Sequence, residues 1–208
     1  MALNYKVQAQ VVNIKIDTPK KEDKFLLDTN VLYWNFSTLA HSRSLPTHLK
    51  PKIYQITKYP KYLEKIQYAG SSLFYCGLSM AEIAHLIEKH QKETNFPTLP
   101  PKEYRHNYPM QRYLVITEIQ NCWSEIEAVA DSTDILIDKI TTKDALANFE
   151  NIIVDGYDSF IIESMFKAGI NQIITDDGDY ITVPGITVFT ANDKAIDAAK
   201  YQGKLLNR

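Results

Sequence analysis

The sequence lacks any long apolar run, so it offers no candidate for a membrane-spanning helix. Its longest uninterrupted apolar stretches, such as Ile152 to Val154, are only a few residues long, whereas a transmembrane helix needs about 20 mostly apolar residues. The opening residues MALNYKVQAQ also lack the apolar core and cleavage site of a secretory signal. We therefore expect a cytoplasmic protein with no membrane contact.

Cysteine and surplus positive charge are also scarce. The two cysteines, Cys76 and Cys122, have no neighbouring Cys or His at metal-ligand spacing, which favours buried reduced thiols over a disulfide or a zinc site. The net charge is −2, so the chain is not the basic body that binds duplex DNA by overall charge. Any contact with nucleic acid must use a local basic face.

What the sequence does contain is the composition of a globular chain and an alternation of strand-like and helix-like segments. Hydrophobic residues make up 45% of it, and we expect one domain spanning residues 1–208. Short apolar runs predict strands at 25–27, 73–78, 135–137, 172–175 and 186–189. Helical periodicity follows Asn30 and Ser79 and recurs at 116–130, 143–149, 155–168 and 193–201. This order predicts an α/β fold, a three-layer α/β/α sandwich around a mostly parallel twisted sheet.

Three segments stand outside this alternation. Residues 5–16 show apolar period two with a phase switch, which predicts a bulged strand within an N-terminal extension, 1–23. Residues 36–71 are rich in Tyr, Lys and Pro and predict an insertion of short helices and loops in a core of about 24–190. Four prolines between Asn95 and Pro109 predict a further irregular connection.

Acidic residues recur at the ends of the predicted strands, where ligands collect in open α/β sheets. Asp28 follows the first core strand, Asp177 and Asp179 follow the strand at 172–175, and Glu82 and Asp158 are predicted in the first turns of helices. Each acid also has a structural explanation. Asp28, the Ser79-x-x-Glu82 pair and Asp158 could cap helices, and the acids after 172–175 could form a solvated turn.

Taken together, these acids are better explained by a cation. Several carboxylates at one edge of a sheet repel one another unless a positive ion is bound. Hard oxygen ligands suit Mg²⁺ or Mn²⁺, which can activate a water molecule against a phosphodiester. The ligand types alone do not distinguish a nuclease from a phosphatase. Two alternatives stay open: Asp176 precedes Asp177 directly and could take its place, and Asp155 lies one helical turn before Asp158. We interpret Asp176 and Asp155 as capping or supporting groups.

The acids lie in four short motifs: Leu26-Leu27-Asp28-Thr29-Asn30, Met80-Ala81-Glu82-Ile83-Ala84, Tyr157-Asp158-Ser159-Phe160 and Ile174-Thr175-Asp176-Asp177-Gly178-Asp179. In this order, the four motifs resemble those of PIN-domain nucleases, in particular the VapC-like branch with insertions. The resemblance implies that Asp28, Glu82, Asp158 and Asp177 ligate the metal, with Asp179 assisting. It also implies supporting roles for Thr29, Asn30 and Thr175.

The resemblance implies a metal-dependent endoribonuclease that uses Mg²⁺ or Mn²⁺ to hydrolyse single-stranded or structured RNA. Members of this family also act as toxins of toxin–antitoxin pairs, so an antitoxin-like partner or a homodimer is an alternative. A non-catalytic RNA-binding or scaffold module with the same fold is another. Residues 36–71 and 89–109 exceed a minimal domain of this family.

The insertion also offers a candidate RNA-binding surface. Lys58, Lys61 and Lys65 alternate there with tyrosines, a mixture that could contact phosphates and stack on bases. A solvated face over a small tyrosine core explains the same pattern. Lone histidines such as His85 and His106 are more often structural than catalytic, and we assign neither a role.

Overall fold

The computed structural model describes residues 4–208 and shows an α/β fold with one seven-stranded sheet in that part of the chain. The strands are β1 Gln10–Asn13, β2 Lys24–Leu27, β3 Ser72–Cys76, β4 Asp131–Thr133, β5 Gln172–Ile174, β6 Thr187–Thr190 and β7 Leu205–Leu206. They lie in the order β4-β3-β2-β5-β6-β1-β7, and every neighbouring pair is parallel. The predicted parallel sheet is confirmed.

Helices cover both faces of this sheet. They are α1 Thr29–Phe36, α2 Gln55–Ala69, α3 Leu78–Asn95, α4 Pro101–Asn107, α5 Pro109–Glu127, α6 Lys139–Asn148, α7 Gly156–Lys167 and α8 Asp193–Tyr201. On β2, Phe25 and Leu27 join the core under α1, α2, α3 and α5, whereas Leu26 joins the core under α7 and α8. A central parallel strand is buried on both faces, which is why its sequence is a continuous apolar run. This layering is consistent with the α/β/α arrangement.

The strand order places a crevice between β2 and β5. From β2 the chain continues to β3 on one side, and from β5 it continues to β6 on the other side. The loops that leave these adjacent strands therefore diverge, which opens a crevice at their carboxyl ends where open α/β sheets bind ligands. Asp28 and Asp177 follow β2 and β5 at this point.

The prediction for the insertion was partly wrong. Residues 36–71 contain α2, a 15-residue helix with Pro60 inside it. A proline in a helix interior costs about 3 kcal/mol or more, but α2 buries Tyr59, Tyr62 and Ile66 against the core. We infer that this packing outweighs the missing backbone hydrogen bond. The proline-rich stretch from Asn95 to Pro109 likewise contains a helix, α4.

Two strand predictions need correction. Residues 135–137 form no strand, since Leu136 is 74% exposed and the edge strand β4 ends earlier, at Thr133. The predicted strand at 5–16 is reduced to β1, and the N–H groups of Gln8 and Ala9 both donate to the carbonyl of Ile181 just before it. Gln8 and Ala9 therefore both lie opposite Ile181, and two residues opposite one is the local geometry of a β-bulge.

Helix boundaries were predicted unevenly. α8 has the predicted bounds, and α7 ends at Lys167, two residues before Gly169, whose φ of +67° suits a glycine after a helix. α6 begins at Lys139 rather than at residue 143, because Asp138 caps it by accepting from the N–H of Thr141. Both cysteines are buried free thiols, as predicted. None of the helices in residues 4–208 is both long and apolar enough to cross a membrane.

Candidate metal centre

A cleft of about 540 Å³ lies at the carboxyl ends of β2 and β5 and is lined by acidic side chains. We call it the acidic cleft and define it by five of its residues: Asp28, Glu82, Asp155, Asp158 and Asp177. Thr29, Asn30, Ala81, His85, Leu86 and Tyr157 complete the lining, which contains no Lys or Arg of the described residues. The structure thus brings four of the five predicted metal ligands together.

Asp28 is the most buried acid of the cleft, and its side chain does not cap a helix. It precedes α1, but its side chain makes no capping hydrogen bond to that helix. Instead Thr175 Oγ1 donates to Asp28 Oδ2 at 2.8 Å. The residue is only 3% exposed, and burial, followed by the charge of Asp158, raises the pKa of Asp28 well above its ordinary value. The capping explanation is therefore not supported.

Glu82 also does not cap a helix, although the Ser79-x-x-Glu82 pattern allowed that role. α3 begins at Leu78, so Ser79 lies inside the helix rather than before it, and Glu82 lies in the second turn rather than the first. The Thr29 hydroxyl donates to Glu82 Oε2. Burial is the main cause that raises the pKa of Glu82, and the hydrogen bond from Thr29 opposes it.

Asp155 caps α7 and so leaves Asp158 available. Asp155 Oδ1 accepts from the N–H groups of Tyr157 and Asp158 at 2.9 and 3.0 Å. Asp158 Oδ1 in turn accepts from the hydroxyl of Tyr180 at 2.7 Å. Burial raises the pKa of Asp158 to about 7 against the lowering effect of Tyr180, and the charge of Asp155 adds to the rise.

Asp176 and Asp177 point to different parts of the molecule. Asp176 accepts from the hydroxyls of Tyr54 and Tyr59 and from Gln55 Nε2, at 2.9, 2.7 and 2.7 Å, so its carboxylate is engaged by the region of α2. Asp177 lines the acidic cleft. The structure thus places Asp177, and not Asp176, beside Asp28.

Asp179 lies beside the cleft rather than in its lining. Its N–H donates to Asp177 Oδ1 at 2.8 Å. Burial, followed by the charges of Asp177 and Asp155, raises the pKa of Asp179. Asp179 is therefore close enough to sense the cleft acids, but the contact that the structure shows is a backbone bond that orients Asp177.

The predicted supporting residues divide into two threonines that hold acids and one exposed amide. The Thr175 hydroxyl donates to Asp28 and accepts from the N–H of Asp177 at 2.9 Å, so one side chain links the two strand ends. Thr29 holds Glu82. Asn30 lines the cleft but is exposed, and its side chain has no hydrogen-bond partner within residues 4–208.

Each of the four converging acids keeps one oxygen free for a ligand. Within residues 4–208, Asp28 Oδ1, Glu82 Oε1, Asp158 Oδ2 and Asp177 Oδ2 accept no hydrogen bond from the protein. None of them is among the buried side-chain atoms without a partner, which are Thr94 Oγ1 and Tyr104 OH. These oxygens are therefore accessible from the cleft.

The donor set fits a hydrated hard cation better than a tightly enclosed one. In the described part of the chain, no three Asp, Glu, His or Cys side chains are close enough together to enclose an ion. Mg²⁺ keeps several waters and is commonly bound through only one or two carboxylates. Free carboxylate oxygens around an open cleft match that mode of binding.

The lysines predicted to bind RNA lie outside the acidic cleft. Lys61 and Lys65 line a separate depression of about 700 Å³, and Lys65 Nζ donates to the carbonyl of Asp17 at 2.9 Å. Lys58 is exposed and lines neither depression. The structure does not bring these lysines to the acids.

No sequence pattern indicated the role of Tyr180. This residue is fully buried and holds Asp158 across 22 positions of sequence. A buried tyrosine after a turn is typical of core packing, and only the fold brings its hydroxyl to a carboxylate. His85, to which the sequence assigned no role, lines the cleft as an exposed side chain of α3.

No protein-family model matches this chain, and a search of curated proteins returned no significant match.

Proposed function

We propose that the chain is a metal-dependent endoribonuclease with a PIN-like architecture. The observation that carries the proposal is the convergence of Asp28, Glu82, Asp158 and Asp177 on one cleft at the strand-order reversal, each with a free oxygen. Among residues 4–208, no Lys or Arg lines this cleft to neutralise these acids. Raised carboxylate pKa values in a cleft are typical of functional sites.

The acids and their partners have separate tasks in this mechanism. Asp28, Glu82, Asp158 and Asp177 would hold a hydrated Mg²⁺ or Mn²⁺, partly through its bound waters, and the ion when bound supplies an activated water and stabilises charge on the phosphodiester. Thr175 fixes the distance between Asp28 and Asp177 through its two hydrogen bonds. Thr29 and Tyr180 each hold one oxygen of Glu82 and of Asp158 and leave the other oxygen without a hydrogen bond from the described residues.

The substrate class rests on the motif resemblance together with this donor chemistry. Carboxylate-held hard cations recognise phosphate oxygens, so a phosphodiester fits the cleft. RNA is the substrate implied by the PIN-like motifs around Asp28, Glu82, Asp158 and Asp177. Single-stranded DNA is the comparison substrate that tests this choice.

The decisive experiment is a titration of Mg²⁺ and of Mn²⁺ against the purified protein. We expect either ion to raise the melting temperature and to switch on cleavage of a labelled single-stranded RNA, because binding to the folded state alone stabilises it. EDTA should reverse both effects. Equal cleavage in EDTA, or cleavage of DNA alone, would contradict the proposal.

Two neighbouring residues provide a matched pair of variants for this titration. Asp177→Asn and Asp176→Asn remove the same charge at adjacent positions, but only Asp177 lines the cleft. We expect Asp177→Asn to lose the metal-induced rise in melting temperature and the cleavage. Asp176→Asn should keep both, after correction for any change in the metal-free melting temperature.

A further inference from the structure

A second, basic depression adjoins the acidic cleft along α3. It measures about 400 Å³, and its lining includes Ala81, His85, Glu88, Arg105 and Arg112. Ala81 and His85 also line the acidic cleft, so the two depressions share a wall. Because α3 runs between them, the fold places arginines from α4 and α5 next to the acids.

Glu88 orients both arginines. Arg105 Nε donates to Glu88 Oε1 and Oε2 at 2.7 and 2.8 Å, and an Nη of Arg112 donates to Glu88 Oε2 at 3.2 Å. The Glu88 side chain is 11% exposed, whereas those of Arg105 and Arg112 are 44% and 42% exposed. The carboxylate is thus largely covered, while the guanidinium groups reach the surface.

The arginine pair carries a surplus positive charge and has N–H donors that no atom of the described residues accepts from. Two positive charges face one negative charge, which leaves a local surplus of one positive charge. Arg105 uses only Nε and Arg112 only one Nη, so within residues 4–208 their other N–H groups have no protein acceptor. A planar group with free parallel donors is suited to phosphate oxygens.

We propose that Arg105 and Arg112 form a phosphate-binding subsite that holds the nucleic-acid backbone beside the acidic cleft. The inference rests on the proposed function, because the acidic cleft by itself repels a polyanion. Glu82 and Glu88 are six residues apart on α3, about 9 Å at 1.5 Å per residue. That length exceeds the roughly 3.4 Å rise between successive phosphates of one strand, so a strand that reaches both places spans more than one nucleotide. The subsite therefore binds a strand that continues beyond the cleaved phosphodiester.

The test is equilibrium binding of a labelled single-stranded RNA in EDTA, measured over a range of salt concentrations. EDTA removes any contribution of a metal ion to binding. We expect Arg105→Gln with Arg112→Gln to weaken binding about tenfold at low salt. The slope of log affinity against log salt should fall by about 0.7 for each phosphate that the protein no longer neutralises.

A double lysine variant controls for overall charge. Lys139 and Lys200 are exposed, make no side-chain hydrogen bond or ion pair in the described residues, and line neither depression. Lys139→Gln with Lys200→Gln removes the same two charges and should change binding by less than about twofold, since non-contacting charges release few counterions. An equal weakening of binding in the two double variants would overturn the proposal.

A third variant separates binding from folding. Removal of both arginines leaves the Glu88 carboxylate largely buried and unpaired, which could unfold the protein. Adding Glu88→Gln to the arginine double variant removes that charge, so the triple variant should regain the melting temperature and still bind RNA weakly. Full recovery of RNA binding in the triple variant would show that the arginines act only on stability.

The same assays distinguish failure of this subsite from failure of the proposed function. A wild-type protein that responds to Mg²⁺ but binds RNA independently of the arginines would overturn the subsite and leave the metal centre standing. Arginine-dependent RNA binding without a metal response or cleavage would support the subsite and overturn the nuclease proposal.

Discussion

Two clusters of carboxylates within residues 4–208, each with buried members, have opposite electrostatic surroundings. In the first, which we call the Arg208 cluster, Arg208 donates to both oxygens of Asp17 and of Asp23 at 2.8 to 3.0 Å, and the Tyr62 hydroxyl donates to Asp17. Asp17 and Asp23 are 2% and 4% exposed. In the acidic cleft the acids have hydroxyl and backbone partners, but no Lys or Arg of the described chain lines that cleft.

The pKa values of Asp23 and Asp28, one from each cluster, shift in opposite directions. Burial alone would raise the pKa of Asp23, but the hydrogen bond from Arg208 and that from the N–H of Lys20 lower it below its ordinary value. For Asp28, burial and the charge of Asp158 raise the pKa, and the hydrogen bond from Thr175 does not offset them. The fold places Arg208 beside the first cluster, whereas no Lys or Arg of the described chain lines the acidic cleft. We propose that the uncompensated cluster is the one that acts on an external ion.

The largest effect should come from Asp28→Asn, which removes one charge from the uncompensated cluster. Cleavage should fall by several orders of magnitude, because a neutral amide holds a hard cation poorly. The melting temperature of the metal-free protein should hold or rise, since repulsion among the acids decreases. Single-turnover cleavage and thermal melting in EDTA measure the two outcomes. Metal-dependent cleavage at nearly the wild-type rate would refute the site.

The corresponding change in the compensated cluster should act on folding. Arg208→Gln leaves Asp17 and Asp23 buried without their cation, which should lower the free energy of unfolding by about 3–5 kcal/mol, as for a broken buried ion pair. Urea unfolding at pH 7 measures it.

Tyr62→Phe is the matched mild variant, because it removes only one hydrogen bond to Asp17 and should cost about 1 kcal/mol. If Arg208→Gln costs less than about 1 kcal/mol, water compensates these acids instead. In that case the contrast between the two clusters would not hold.

The two clusters should also change the stability of the folded protein in different pH ranges. A raised folded-state pKa means that the folded protein binds more protons than the unfolded chain between about 4 and the folded pKa, about 7 for Asp158. In EDTA, stability should therefore increase as the pH falls from 8 towards 5. The lowered pKa of Asp23 acts in the other direction, and its stabilisation is lost only as the pH falls below its unfolded value of 3.8.

Melting curves in EDTA at several pH values test this separation, with Asp158→Asn as the variant. Its melting temperature should change less between pH 8 and pH 5 than that of the wild type, since one titrating group is gone. Excess Mg²⁺ should reverse the trend in the wild type, because the metal binds deprotonated carboxylates. An unchanged profile in Asp158→Asn would contradict the raised pKa.

The smallest effect should come from the lysines of α2. Lys58→Ala, Lys61→Ala and Lys65→Ala together should weaken RNA binding and flatten its salt dependence without changing metal affinity. Because Lys61 and Lys65 line a separate depression, the decrease in affinity should be smaller than for Arg105→Gln with Arg112→Gln. If the triple variant binds RNA as the wild type does at both low and high salt, these lysines are solvated surface residues with no role in binding.

The sequence by itself determined the α/β class and the positions of the acids along the chain. Both depend on local rules: a parallel strand buried on two faces is a short apolar run, and its carboxyl end is followed by the ligand-binding turn. The helices predicted at 155–168 and 193–201 also match α7 and α8 to within one residue at each end.

Only the tertiary structure decided how the side chains face one another. The sequence left Asp176 open as an alternative to Asp177, and their opposite directions are decided by the tyrosines that α2 and the residue before it bring to Asp176. The capping box at Ser79 satisfied a local pattern, yet α3 begins before it. Contacts such as Tyr180 with Asp158 and Arg208 with Asp23 join residues 22 and 185 positions apart. Local sequence patterns cannot specify such contacts, because packing between distant elements determines which carboxylates gain a partner and which remain free.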